Sequence, residues 1–200
     1  MIASVDYGIG NLRSAEKALQ HVGADATLTD DPRVIASAAA VVVPGVGHFG
    51  ACMEALRSSG LEASVRAAAA SGRPMLGICV GMQMLFDGSD EAPETPGLGL
   101  VAGRVRRLPA DEKLPQIAWN TVDVAARSEL FAGVAEPWVY FVHSYVCDPA
   151  DPDVVTGWST YGRRYAAAIE QSNVWATQFH PEKSSHVGLA LLRNFARKAA

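Results

Sequence analysis

The segment Pro74 to Phe86, PMLGICVGMQMLF, passes from an apolar β-type stretch straight into a helix-type stretch, with Cys79 at the junction and Gly77 and Gly81 on either side. No other feature restricts the fold as much. A buried strand that ends directly in a helix belongs to α/β architecture, where the two kinds of element alternate. The pattern G-x-C-x-G is the cysteine counterpart of the G-x-S-x-G nucleophile elbow. Such a sharp turn forces its central residue into a strained conformation, and side chains on the flanking positions would collide with neighbouring backbone, so glycine is required there. The turn lifts the central side chain out of the sheet. It also puts Cys79 at a helix N-terminus, where free N–H groups and the helix dipole favour thiolate over thiol and can receive an oxyanion. A free cysteine in isolation is more often a small buried packing residue. The elbow spacing makes Cys79 a candidate nucleophile instead.

The flanking sequence fits the same architecture. With 200 residues, 49% of them hydrophobic, the chain can bury one substantial core, so residues 1–200 read as a single domain. Ile2 to Asp6 reads as a strand, and Asn11 can cap a helix whose Leu12, Ala15, Leu19 and Val22 share a face. AVVVPG is a β-branched run stopped by Pro44 and Gly45, resembling a strand buried on both faces of a parallel sheet. LEASVRAAAASG reads as a helix ending at Gly72. From Leu98 onward the segments GRVRRL, WVYFVHSYV, DVVTGWS, YAAAIE and VWATQF are β-rich, and a last helix is expected from about Val187 to Lys198 with Leu189, Leu192 and Phe195 on its apolar face. DGSDEAPETPG, Asp87 to Gly97, reads as a solvated surface loop. The fold expected is therefore α/β and three-layered, a mostly parallel central sheet flanked by helices, with antiparallel strands from the β-rich second half.

A nucleophilic cysteine needs a base. In VWATQFHPE, His180 follows an apolar strand directly, Pro181 restricts the backbone, and Glu182 stands two residues on. In an extended segment residues i and i+2 point the same way, so Glu182 can orient one imidazole nitrogen while the other faces Cys79. By themselves these three residues could equally form a surface turn. Combined with the elbow they describe a thiol acyl-transfer site. Other chemistry has less support. A net charge of −4 provides no basic stripe for nucleic acid. No stretch is long and apolar enough to span a bilayer, and the N-terminal MIASVDYG lacks the pattern of a secretory signal, so a cytoplasmic location is expected. DYGIGN has Arg13 where a dinucleotide fingerprint wants a third glycine, leaving a tight turn. His48 and His143 read as polar loop residues, Cys52 and Cys147 as packing residues, and neither a zinc site nor a disulfide framework is suggested.

GICVGMQMLF and QFHPEKS together resemble the triad-type (class I) glutamine amidotransferases. DYGIGN, PGVGHFG, AWN (Ala118 to Asn120), YFVHSY (Tyr140 to Tyr145) and HPEKS narrow the resemblance to the glutaminase subunits of imidazole glycerol phosphate synthases. These motifs span nearly the whole chain in the family's order. The resemblance implies hydrolysis of L-glutamine to glutamate and ammonia through a cysteine thioester, with Cys79 as nucleophile, His180 as general base and acid, and Glu182 as orienter. It implies oxyanion donors at the backbone N–H of Val80 and of Val46. Gln83, Ser144, Tyr145 and Gly47 would hold the substrate, although Gln83 alone could be an ordinary exposed helix residue. Asn11, Trp119, Asn120 and Lys183 would face a partner, while tryptophan composition alone would put Trp119 in the core. Neither cofactor nor metal is implied. One departure is visible, Ala118 where the family pattern has glycine.

A partner also follows from chemistry. Ammonia released into neutral water is mostly protonated and useless as a nucleophile, and the triad leaves no room here for a second catalytic domain. The acceptor is expected on another chain, which in the family is a (β/α)8-barrel cyclase forming a heterodimer with the glutaminase and making imidazole glycerol phosphate in histidine biosynthesis. Gly45 and Gly47 would permit a peptide flip in the Pro44–Gly47 segment that gates the site on partner binding. Two other readings stand beside this one: the glutaminase of an anthranilate or aminodeoxychorismate type synthase, which would have histidine in place of Met82, and a catalytically silent α/β binding module.

Overall fold

The computed structural model describes residues 1–9, 12–109 and 111–199. Asn11, expected both as a helix cap and as a partner contact, lies outside them. The first half alternates as its hydrophobic pattern predicts: β1 (Ile2–Val5), α1 (Arg13–His21), β2 (Ala26–Thr29), α2 (Pro32–Ser37), β3 (Ala40–Gly45), α3 (Phe49–Ser58), α4 (Glu62–Ala70), β4 (Met75–Cys79) and α5 (Val80–Met84). Every residue of β1, β3 and β4 is buried, as continuous apolar strands under helices on both faces must be. The Pro44–Gly45 pair does not stop β3. It continues to Gly45, which stands opposite Cys79 in the parallel ladder with β4.

The second half adds β5 (Gly88–Ser89), β6 (Ala92–Pro96), β7 (Gly103–Arg107), β8 (Gln116–Thr121), β9 (Asp123–Val124), β10 (Trp138–His143), β11 (Tyr145–Pro149), β12 (Val155–Tyr161), β13 (Arg163–Gln171), β14 (Val174–Thr177) and α6 (Ser185–Ala196). The central sheet runs in the order β2-β1-β3-β4-β14-β13-β11-β7-β5-β6. It is parallel from β2 through β14 and continues through antiparallel ladders at β13, β11 and β7. Right-handed crossovers leading in opposite directions from β1 and β3 place helices on opposite faces. α1 packs with α6, and α2 with α4. The α/β architecture with helices flanking a sheet and a β-rich second half is the one the sequence patterns predicted.

Three local expectations are corrected. Asp87 to Gly97 is not a solvated loop but the β5–β6 hairpin, joined in parallel to β7. Arg104 and Arg106 engage Asp90 beneath it, a pairing between distant segments that local composition does not reveal. WVYFVHSYV breaks at Ser144: β10 pairs only with β8 in a separate two-stranded sheet, while β11 joins the central one. The last helix starts at Ser185 and buries Val187, Leu191, Leu192 and Phe195, with Leu189 at the edge of that face.

Candidate active site

The elbow is built by close approach of backbones. An added Cβ on Gly81 would lie 1.8 Å from the Val43 carbonyl oxygen, and one on Gly45 would lie 2.6 Å from the Gly81 nitrogen. At Gly77 it would come within 3.0 Å of the Gly81 oxygen and of Leu85. Glycine at these positions lets the turn seat against β3. Cys79 carries the resulting strain, with φ 55° and ψ −113°, a region L-residues seldom occupy unless the surroundings enforce it. The helix that follows is only five residues long, so its summed dipole at the elbow is small.

His180 is delivered from β14, three residues past its last residue, and its backbone N–H donates to the Tyr140 carbonyl. Pro181 to Lys183 then form one 3-10 turn. Glu182 thus reaches His180 through a tight turn rather than along the extended segment anticipated, because proline at its first position favours helical curvature. His180 Nδ1 and Glu182 Oε1 are 2.7 Å apart, with both side chains buried. A carboxylate only accepts, so Nδ1 carries the proton and Nε2 is the basic nitrogen. Nε2 is buried without a well-formed hydrogen bond. Burial pushes the imidazole pKa down, but the neighbouring Cys79 sulfur and Glu182 carboxylate outweigh it and hold His180 above the ordinary histidine value. The site thereby favours the imidazolium form of His180 beside the sulfur.

Cys79 and His180 open onto one cavity of about 380 Å³, whose walls also include Val46, Gly47, Val80, Gln83, Ser144, Tyr145 and Lys183. Every substrate and oxyanion residue anticipated from sequence is in this wall, and Glu182 stands behind His180. The volume suits a small ligand. Two of its other lining residues were not anticipated. Glu91 projects from the β5–β6 hairpin, where its Oε2 accepts from the Phe49 N–H at 2.7 Å. No local signal in the sequence distinguishes it from the other acidic residues of that segment. His143 is no loop residue: it is buried on β10, its Nδ1 lies 3.1 Å from the Tyr145 carbonyl, and burial pushes its pKa down to about 3. The alternation of WVYFVH, which turns Val139, Phe141 and His143 inward, was the signal available. His48 caps α3, its Nδ1 accepting from the N–H groups of Gly50 and Ala51.

Of the residues expected to face a partner, Trp119 is 47% exposed and Lys183 is exposed at the cavity. Asn120 turns the other way, donating from Nδ2 to the Thr160 carbonyl, since alternate residues of β8 point to opposite faces. Cys52 and Cys147 are buried, and Cys52 Sγ donates to the Val46 carbonyl at 3.3 Å. Among the described residues no helix is long and apolar enough to cross a membrane.

The family model for class-I glutamine amidotransferases matches residues 3–199. The chain belongs to that family. Among its relatives, the imidazole glycerol phosphate synthase subunit HisH of Symbiobacterium thermophilum is 48% identical over 197 residues, covering 98% of this chain and 93% of the relative. The protein of the same name from Deinococcus radiodurans is 50% identical over 200 residues, covering 98% and 93%. A crystal structure of a glutamine amidotransferase superposes with a TM-score of 0.79 at 23% identity, covering 100% of this chain and 99% of the other. That likeness is one of fold.

Proposed function

We propose that this chain is the glutaminase subunit of an imidazole glycerol phosphate synthase, hydrolysing L-glutamine and passing ammonia to a barrel-shaped cyclase subunit in histidine biosynthesis. The observation that carries it is the strained Cys79 at a cavity shared with His180, whose far nitrogen is held by Glu182. The relatives named above bear that subunit's name.

The chemistry follows from these groups. The Cys79 sulfur adds to the side-chain carbonyl of glutamine, and its proton resides on His180. The backbone N–H of Val80, with that of Val46, each one residue past the last pair of the β3–β4 ladder, receives the developing oxyanion. His180 returns the proton to the leaving nitrogen, so ammonia departs and a glutamyl thioester remains. Water, deprotonated by His180, then releases glutamate and restores the thiol. Gln83, Ser144, Tyr145 and Gly47 hold the substrate's polar groups, and Glu91 supplies a carboxylate for the α-ammonium.

The Pro44–Gly47 segment serves as the gate. In the free chain the Tyr7 hydroxyl donates to the Pro44 carbonyl at 2.6 Å and Cys52 Sγ to that of Val46, so a flip must exchange these contacts. The cyclase docks on the outer face of the β8–β10 ribbon, where Ile117, Trp119 and Trp138 are 61%, 47% and 53% exposed beside the cavity wall at Val142 to Tyr145. Apolar residues exposed as a group mark such a surface. Lys183 lies at its margin. Three buried free thiols suit the reducing cytoplasm. In the test, Cys79→Ala abolishes glutamine-dependent synthesis by the complex while ammonia-dependent synthesis by the cyclase persists. Loss of both would mean that Cys79 is structural.

A further inference from the structure

Behind the cavity a directed chain of hydrogen bonds ends on the sulfur of Cys79. It begins at the Tyr145 backbone carbonyl, which can only accept. Gln83 must therefore present its amide nitrogen there, and Nε2 lies 3.1 Å from the Tyr145 oxygen. The second N–H of that nitrogen meets Gln178 Oε1 at 3.1 Å. This fixes the Gln178 amide with its oxygen toward Gln83 and its Nε2 toward Cys79 Sγ, 3.8 Å away. Gln178 is fully buried and Gln83 is 3% exposed. Turning Gln178 over would set donor against donor and turning Gln83 over would set acceptor against acceptor, both costly for groups this deeply buried.

We propose that Gln178 holds the Cys79 sulfur in its ionised form by donating a side-chain N–H to it, with Gln83 as the positioning residue that keeps that amide so oriented. The proposal rests on Cys79 being the nucleophile. An N–H group bonds an anionic sulfur more strongly than a neutral one, so the contact favours the thiolate before attack. It weakens while the sulfur is acylated and returns as the thioester breaks, which assists sulfur as a leaving group. Gln178 and His180 thus divide the work: the histidine moves protons, whereas the glutamine cannot take one and only stabilises charge. In QFHPE the residue two before the histidine is then part of the chemistry, not merely the end of a buried strand.

The test is the pH dependence of Cys79 alkylation by iodoacetamide, read at each cysteine by peptide mass spectrometry. Gln178→Met removes the donor at nearly constant length in a flexible side chain suited to buried gaps. It should move the alkylation midpoint up by about one pH unit or more, with a fall of about tenfold in glutaminase kcat at pH below that midpoint and little change in KM. Gln83→Met should move the midpoint in the same direction by less. An unchanged midpoint in folded Gln178→Met overturns the proposal while leaving the nucleophile intact. Alkylation of Cys79 no faster than that of Cys52 and Cys147 in the unmodified chain would instead remove the nucleophile and the proposal with it. If Gln178→Met does not fold, the Gln178 side-chain amide resonance of the unmodified protein decides: it should titrate with the Cys79 midpoint, and a pH-independent resonance overturns the assignment.

Discussion

Gly81 has no side chain because the Val43 carbonyl occupies the place where a Cβ would go. Gly81→Ala must separate β3 from the elbow, at a cost on the order of 3 kcal/mol and a fall in Tm of roughly 6–12 °C, with glutaminase activity lost. Gly60→Ala, at a left-handed position (φ +75°) with open space around it, should cost only about 1–2 kcal/mol. Thermal melts of the two variants compare crowding with backbone strain directly. His143 makes a second prediction. Its folded pKa is depressed to about 3 from an ordinary 6.5, so below pH 6.5 the unfolded chain binds a proton that the folded chain refuses. Stability then falls with pH, by about 1.4 kcal/mol per unit from this group. His180, raised in the fold, is protonated in the native chain throughout, so it adds an opposite slope that fades as the unfolded histidine charges below pH 6.5 and that both proteins compared here share. Urea midpoints between pH 7 and 5 should therefore decline less steeply for His143→Gln than for the unmodified chain. Both residues were visible as types in the sequence. What they touch was not.

The β8–β10 ribbon shows how an element acquires a role from what it leaves uncovered. Its inner face carries the buried Val139 and sets Phe141 and His143 against Tyr165 of β13. Its outer face keeps Ile117, Trp119 and Trp138 in solvent, which water disfavours unless another surface covers them. Trp119→Asp should weaken association with the cyclase by at least about tenfold and leave the Tm of the free chain within about 2 °C. Titration calorimetry with the purified partner measures the first, and a thermal melt the second. A core role for Trp119 would reverse the pattern, lowering Tm severely. Alternation within WVYFVH was legible, whereas the break at Ser144 was not: YFVHSYV has no Pro or Gly to mark it. Ser144 is where the chain leaves the small sheet for the large one, and it brings Ser144 and Tyr145 to the cavity because of that departure.

At the scale of the whole molecule, β13 binds the two halves together, pairing with β14 and β11 along one edge and with β12 along the other. Since the central sheet is continuous from β2 to β6, residues 1–200 should unfold as one cooperative unit. Far-ultraviolet circular dichroism and fluorescence of the four tryptophans should then give coincident urea transitions, and separated midpoints would divide the chain into two domains. The elbow, the histidine with its carboxylate and the alternating α/β order could be read from the amino-acid sequence, because each is written in local spacing: glycines flanking a cysteine, an apolar strand before a histidine, periodicities of two and 3.6. Distances between remote segments are not written that way. Only tertiary structure brought His180 to Cys79, set Glu91 in the cavity wall from a segment that reads as solvated loop, buried His143, turned Asn120 inward and aligned Gln83 and Gln178 on the sulfur. These outcomes depend on which strands become neighbours, and strand pairing is decided by the packing of the whole core rather than by the residues adjacent in the chain.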